Sequence, residues 1–142
     1  MGIVGALNWW AVLLAAIVSF VFGGLWYGLL SKQWMAAAGL TEEQIRGTGG
    51  PSPMPFIITF IAQVVMAAML AGILFHLALG GMRPALRVGL IAGFLVWLGF
   101  VATTLVVNQQ CQMQKASLTL IDGAHWLGVL LLQGAILGLM LR

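Results

Sequence analysis

Near the start of the chain's last apolar stretch stand two residues whose types suit chemistry, Asp122 and His125. Spaced i, i+3, a carboxylate and an imidazole share one face of a helix. Partly shielded from water, such a pair can pass a proton or bind a cation. Gln133, 11 residues past Asp122, returns to nearly the same azimuth and carries the stripe inward. Other stretches place polar residues at the same depth: Tyr27, and the i, i+4 pairs Thr59/Gln63 and Thr104/Asn108. Polar groups are costly inside a bilayer, so a layer built by every stretch is a candidate proton or ligand site. Its members are Asp122, His125, Asn108, Gln63 and Tyr27. The same layer also reads as an interfacial cluster pinning helix ends, with Asp122 favoured near a helix N-terminus. Ligation of a metal or tetrapyrrole by His125 alone is a third reading.

Other chemistry is thinly represented. The chain has no nucleophile elbow, phosphate-binding glycine loop or paired-carboxylate site, so no enzyme is expected, and neither metal nor cofactor. His76 sits near the opposite end of its stretch from the polar layer and is expected at the interface beside Arg83 and Arg87. The single cysteine, Cys111, excludes an internal disulfide and a multi-cysteine metal site. It is expected as a small apolar filler near a helix end.

The elements that must position these residues are set by composition. Of 142 residues, 62% are hydrophobic and only 6% charged, and the mean hydropathy is +1.09. A soluble domain carries about 25% charged residues because its surface faces water. Six Lys and Arg with three Asp and Glu cannot coat such a surface. They are also too scattered for a nucleic-acid footprint, so no nucleic acid partner is expected.

A hydrocarbon core of about 30 Å takes roughly 20 helical residues to cross. Four stretches qualify, at about 7–30, 56–79, 84–107 and 118–141. Continuous apolar runs exclude strands, since a bilayer admits only helices or closed barrels. The first stretch lacks a basic leader and exceeds the h-region of a signal peptide, so it is expected to persist in the mature protein. The expected fold is therefore all-α: a single four-helix transmembrane domain over 1–142. Gly80, Gly81 and Met82 join the second and third spans, and Pro84 suits the first turn of the third. A polar connection over 108–117 leads to the fourth. In the long link, 32–40 predicts a short interfacial helix with Trp34 at the boundary. Thr41 then starts another helix with Glu42 and Glu43 in its first turn, and 47–53 is a loop.

Orientation is nearly balanced. Arg83, Arg87 and Arg142 fall on the side of the termini; Lys32, Arg46 and Lys115 fall on the long-loop side with all three acids. Counting the acids favours cytoplasmic termini, although Lys and Arg alone leave orientation undecided.

Three spans carry Gly-xxx-Gly: Gly24/Gly28, Gly89/Gly93 and Gly134/Gly138. The first adds a ladder of small residues at Ala11, Ala15, Ser19 and Gly23. Small faces let helix backbones approach closely, within one bundle or between chains.

Several of these features stand together in a recognisable order. Asn8-Trp9 opens the first span, Gly24-Leu25-Trp26-Tyr27-Gly28 closes it, and Lys32 with Trp34-Met35 follows. Asn108, Ile121-Asp122 with His125, and Gly134-Ala135-Ile136-Leu137-Gly138 complete the pattern. The chain resembles the small bacterial membrane proteins grouped as domain of unknown function 1761. Leu29 and Ala124 depart from that pattern, where a proline and an aromatic are usual. The resemblance implies a multi-pass protein of the bacterial cytoplasmic membrane and implies no activity. The leading expectation is a non-catalytic packing or accessory subunit of a homo-oligomer or larger membrane complex. The alternative is a small homo-oligomeric proton- or cation-coupled transporter or channel.

Overall fold

The computed structural model describes residues 5, 7–47 and 52–141; Arg142 and the glycine-rich part of the long loop, 48–51, lie outside them. Among the described residues the chain is helical, without strands, and four helices are long and apolar enough to cross a membrane. These are α1 (Trp9–Leu29), α4 (Met54–Leu79), α5 (Leu86–Cys111) and α6 (Ala116–Met140). Between α1 and α4 lie two short helices, α2 (Ser31–Ala38) and α3 (Glu42–Arg46).

Local signals set most of the boundaries. Asn8 caps α1, its side-chain oxygen accepting from the Ala11 N–H at 3.2 Å. α2 stops at Gly39, whose φ of 69° is a left-handed conformation that costs glycine little. Thr41 and Gln44 form a reciprocal capping box at α3. Pro55 lies in the first turn of α4, where its missing N–H has no partner to lose. Pro84, expected in the first turn of the third span, stands just before it, because Ala85 is extended and α5 begins at Leu86. The expected connection 108–117 is also shorter, since α5 runs through Cys111 and α6 begins at Ala116. Near a bilayer, continuing a helix satisfies backbone groups that an irregular loop would leave to water.

α6 is the central helix, packing on α5, α1 and α4. Toward the side of the termini the interior is apolar apart from Gln133: Ala11, Val12, Leu70, Leu74 and Leu137 are at most 1% exposed. The outer faces carry large apolar side chains such as Val21, Leu25, Ile61, Met69, Leu95 and Phe100, as a lipid-facing surface does.

Two of the glycine pairs meet each other. A methyl group placed on Gly89 would overlap the Gly134 carbonyl oxygen, and one on Gly134 would overlap that of Gly89. Gly93 and Gly138 stand equally close to the carbonyls of Leu130 and Ala85. Gly24 and Gly28 have nothing within 4 Å of such a methyl and face outward. The ladder of Ala11, Ala15, Ser19 and Gly23 is buried in the bundle.

α5 is not a uniform α-helix. Its middle turn, Trp97–Ala102, is a π-helix. A π turn takes up one residue more than an α turn over nearly the same rise, so every later residue is rotated by one position. Beyond this turn Gln109 is buried and Asn108 is exposed.

Candidate functional site

The long-loop side of the bundle holds a polar site in two storeys. The outer storey is centred on Asp122, in the second turn of α6. Its Oδ1 accepts from the Tyr27 hydroxyl at 2.9 Å and from the Trp34 indole N–H at 3.2 Å. Its Oδ2 accepts from the Gln109 side-chain amide at 3.0 Å. One carboxylate thus draws together α1, α2, α5 and α6. Two further indoles donate to backbone carbonyls beside it: Trp26 to Ile121 at 3.2 Å, and Trp97, from the π turn, to Gly123 at 2.9 Å. Lys115 donates to the Ala36 carbonyl at 2.7 Å and ties the start of α6 to α2. Asp122 therefore meets only neutral donors. Among the described residues the one ion pair is Arg46 with Glu42, at 3.8 Å on α3.

Asp122 faces a cavity of about 700 Å³. Tyr27, Trp34, Phe56 and Trp126 supply its aromatic wall, and Glu42, Ile45 and Arg46 of α3 its rim. The interfacial helices α2 and α3 thus form one side of the cavity, and the ends of α1, α4 and α6 form the rest.

The inner storey is enclosed. His125 lies three residues, about 4.5 Å, deeper along α6 and is 2% exposed. Its ring lies parallel to Phe22 at 6.0 Å, tilted against Tyr27 at 4.7 Å, and edge-on to Trp126 at 4.9 Å. Gly23 makes this placement possible, since a methyl group there would stand 2.9 Å from His125 Nε2. Gly128 likewise leaves room for the Phe22 ring. Gln63 and Gln133 are fully buried, and the Gln133 amide donates to the Gln63 backbone carbonyl at 3.2 Å. Both ring nitrogens of His125 and both side-chain polar atoms of Gln63 lack a hydrogen-bond partner among the described residues. Buried polar atoms of this kind are expensive in lipid, so they mark function or a bound polar species more often than packing.

Of the residues singled out by spacing, Asp122, Tyr27, His125 and Gln63 come together around the end of α1. Asp122 and His125 share a helix face but no hydrogen bond: the carboxylate lines the cavity, and the imidazole is buried in the bundle. Asn108 is exposed, and Gln109 holds the place expected for it. Thr104 is exposed, and the Thr59 hydroxyl donates back to Pro55 one turn earlier. His76 is exposed near the other end of α4 and bonds its own helix at Gly72. Cys111, expected as packing filler, is exposed at the end of α5. Gln109, Trp97 and Trp126 escaped the sequence reading. The only signal for Gln109 was its place beside Asn108, and nothing marked the π turn. Among the described residues no three His, Cys, Asp or Glu side chains gather as a metal-binding group.

These elements define a class: a polytopic four-helix membrane protein with a polar site that reaches inward from one end of its bundle. The chain belongs to the protein family of unknown function DUF1761, whose sequence profile matches residues 10–138. No curated protein and no solved structure matches it.

Proposed function

We propose that this protein is a small carrier that takes up a cation at Asp122 from the long-loop side of a bacterial cytoplasmic membrane. The observation that carries this reading is a carboxylate at the wall of a 700 Å³ cavity with three neutral donors and no cationic partner among the described residues. In a low-dielectric setting an uncompensated charge attracts a counter-ion far more strongly than in water. The buried polar groups below it, His125, Gln63 and Gln133, offer a second station toward mid-membrane. Beyond them Leu70, Leu74 and Leu137 close the interior. Passage to the other side therefore needs a rearrangement of helices, which fits a carrier and not an open channel.

Reconstituted into liposomes, the wild-type protein should give saturable uptake of a monovalent cation, tested with potassium and with tetrapropylammonium. Asp122→Asn should abolish that uptake while leaving the native particle mass unchanged. Uptake of both probes no faster than into empty liposomes would reject the carrier reading.

A second reading, an accessory subunit packed in a larger membrane assembly or homo-oligomer, is favoured by one feature. Gly24 and Gly28 form an outward small-residue face with nothing against it, whereas the other two pairs are used within the chain. Gly28→Leu should then reduce the mass of the particle released mildly from its membrane. A fixed ratio of other proteins in that particle would move the function to theirs.

The proposed orientation has both termini in the cytoplasm; it rests on the three acids of the long-loop side, since Lys and Arg stand three on each side. Cys111 provides the check, as the chain's only cysteine and an exposed one on the long-loop side. A membrane-impermeant maleimide should label it in intact spheroplasts. Labelling only after the membrane is opened would reverse the orientation.

A further inference from the structure

The cavity wall carries more information than the charge at its centre. Small inorganic cations are held by rings of oxygen at short range. Asp122 offers little of that: three donors already engage its two oxygens, and its neighbours in the cavity are Tyr27, Trp34, Phe56 and Trp126. Aromatic faces beside a carboxylate suit a different ion, one whose charge is spread over an apolar shell and whose hydration is weak. The two charged residues at the rim, Glu42 and Arg46, pair with each other at 3.8 Å, so the excess charge of the lining is that of Asp122. About 700 Å³ is also far more room than a bare metal ion needs, and falls in the range of small-molecule sites. Phe56, 63% exposed, and Ile45, 50% exposed, make the approach apolar.

We propose that the ligand of the Asp122 cavity is an organic cation of the quaternary ammonium type, held by cation–π contact with Trp34 and Trp126 beside the carboxylate. This rests on the carrier reading and names its substrate class. Trp126 is the informative position, because it lines the cavity without hydrogen-bonding Asp122. Removing its ring tests aromatic recognition and leaves the carboxylate's partners in place.

The experiment is a titration of the purified, detergent-solubilised full chain with tetrapropylammonium, and separately with potassium, followed by calorimetry. Tetrapropylammonium should bind saturably and potassium should not compete. Trp126→Leu should weaken tetrapropylammonium binding roughly tenfold, Trp126→Phe by less, and Asp122→Asn should eliminate it. Equal affinity of wild type and Trp126→Leu, with each variant's helical content and particle mass unchanged, would overturn the aromatic assignment. Saturable, Asp122-dependent potassium binding without tetrapropylammonium binding would overturn the substrate class and leave the carrier reading standing. Binding of neither probe would overturn both.

Discussion

Gly134→Ala should destabilise the protein by about 3 kcal/mol, at the upper end of what overpacking costs, and Gly134→Leu should prevent the native bundle from forming. The added methyl would meet the Gly89 carbonyl oxygen. Backbone cannot rotate aside as a side chain can, so α5 and α6 would have to separate along their length. The same separation would open Gly93 from Leu130 and Gly138 from Ala85. Without a hydrophobic drive between helices in lipid, this close approach is what dispersion has to work with. Gly28→Ala is the matched control: nothing lies within 4 Å of its added methyl, and alanine favours the helix by up to about 1 kcal/mol. Denaturation of the two variants in mixed micelles compares them directly. Equal stability would mean that α5 and α6 do not touch through their glycines.

Asp122→Ala should be the most damaging change on the long-loop side, at about 3 kcal/mol, whereas Asp122→Asn should cost under about 1 kcal/mol. The alanine variant leaves the Tyr27 hydroxyl, the Trp34 indole and the Gln109 amide without their acceptor. A shielded donor left unmade costs about 1–3 kcal/mol, and water at the cavity would relieve part of the total. Asparagine keeps one oxygen for Tyr27 and Trp34 and turns an amide toward Gln109. Gln109 can answer by rotating its own amide, because its Oε1 has no partner among the described residues. The asparagine variant therefore keeps the architecture while removing the charge, which is why it serves as the functional test. Thermal unfolding in micelles that ranked alanine and asparagine alike would show that the carboxylate holds no helices together.

The four spans were legible because a bilayer translates directly into length and composition, and no soluble alternative survives so few charges. The start of α3 was equally plain, since Thr41 and Gln44 carry a capping box in their own side chains. Asp122, Tyr27, Gln63 and His125 were found because polarity at a fixed depth is rare enough in such a chain to be informative. What escaped was azimuth. Which face of α1 points inward depends on a single residue: Gly23 is buried against His125, while its neighbour Gly24 faces outward. Both are glycine, so composition does not separate them. In α5 Asn108 was singled out by its depth and its i, i+4 spacing from Thr104, and neither says which side chain faces α6 after a widened turn; the buried one is Gln109. The relation between Asp122 and His125 was also hidden, since spacing fixes a shared face but not which neighbours each side chain meets.

The widened turn at Trp97–Ala102 lets the third span lose one residue there without losing its register. Deleting a residue there, Gly99 for instance, would let the segment relax to a plain α-helix at almost unchanged length. Both ends of the helix would keep their depths and their azimuths, since the widened turn holds one residue more than an α turn over nearly the same rise, and Gln109 would still reach Asp122. Tightening the turn with every residue kept would instead rotate all that follows by about 100° and bring Asn108, one methylene shorter, to the place of Gln109. The protein thus carries, in a single widened turn, the setting that chooses which amide reaches the Asp122 carboxylate.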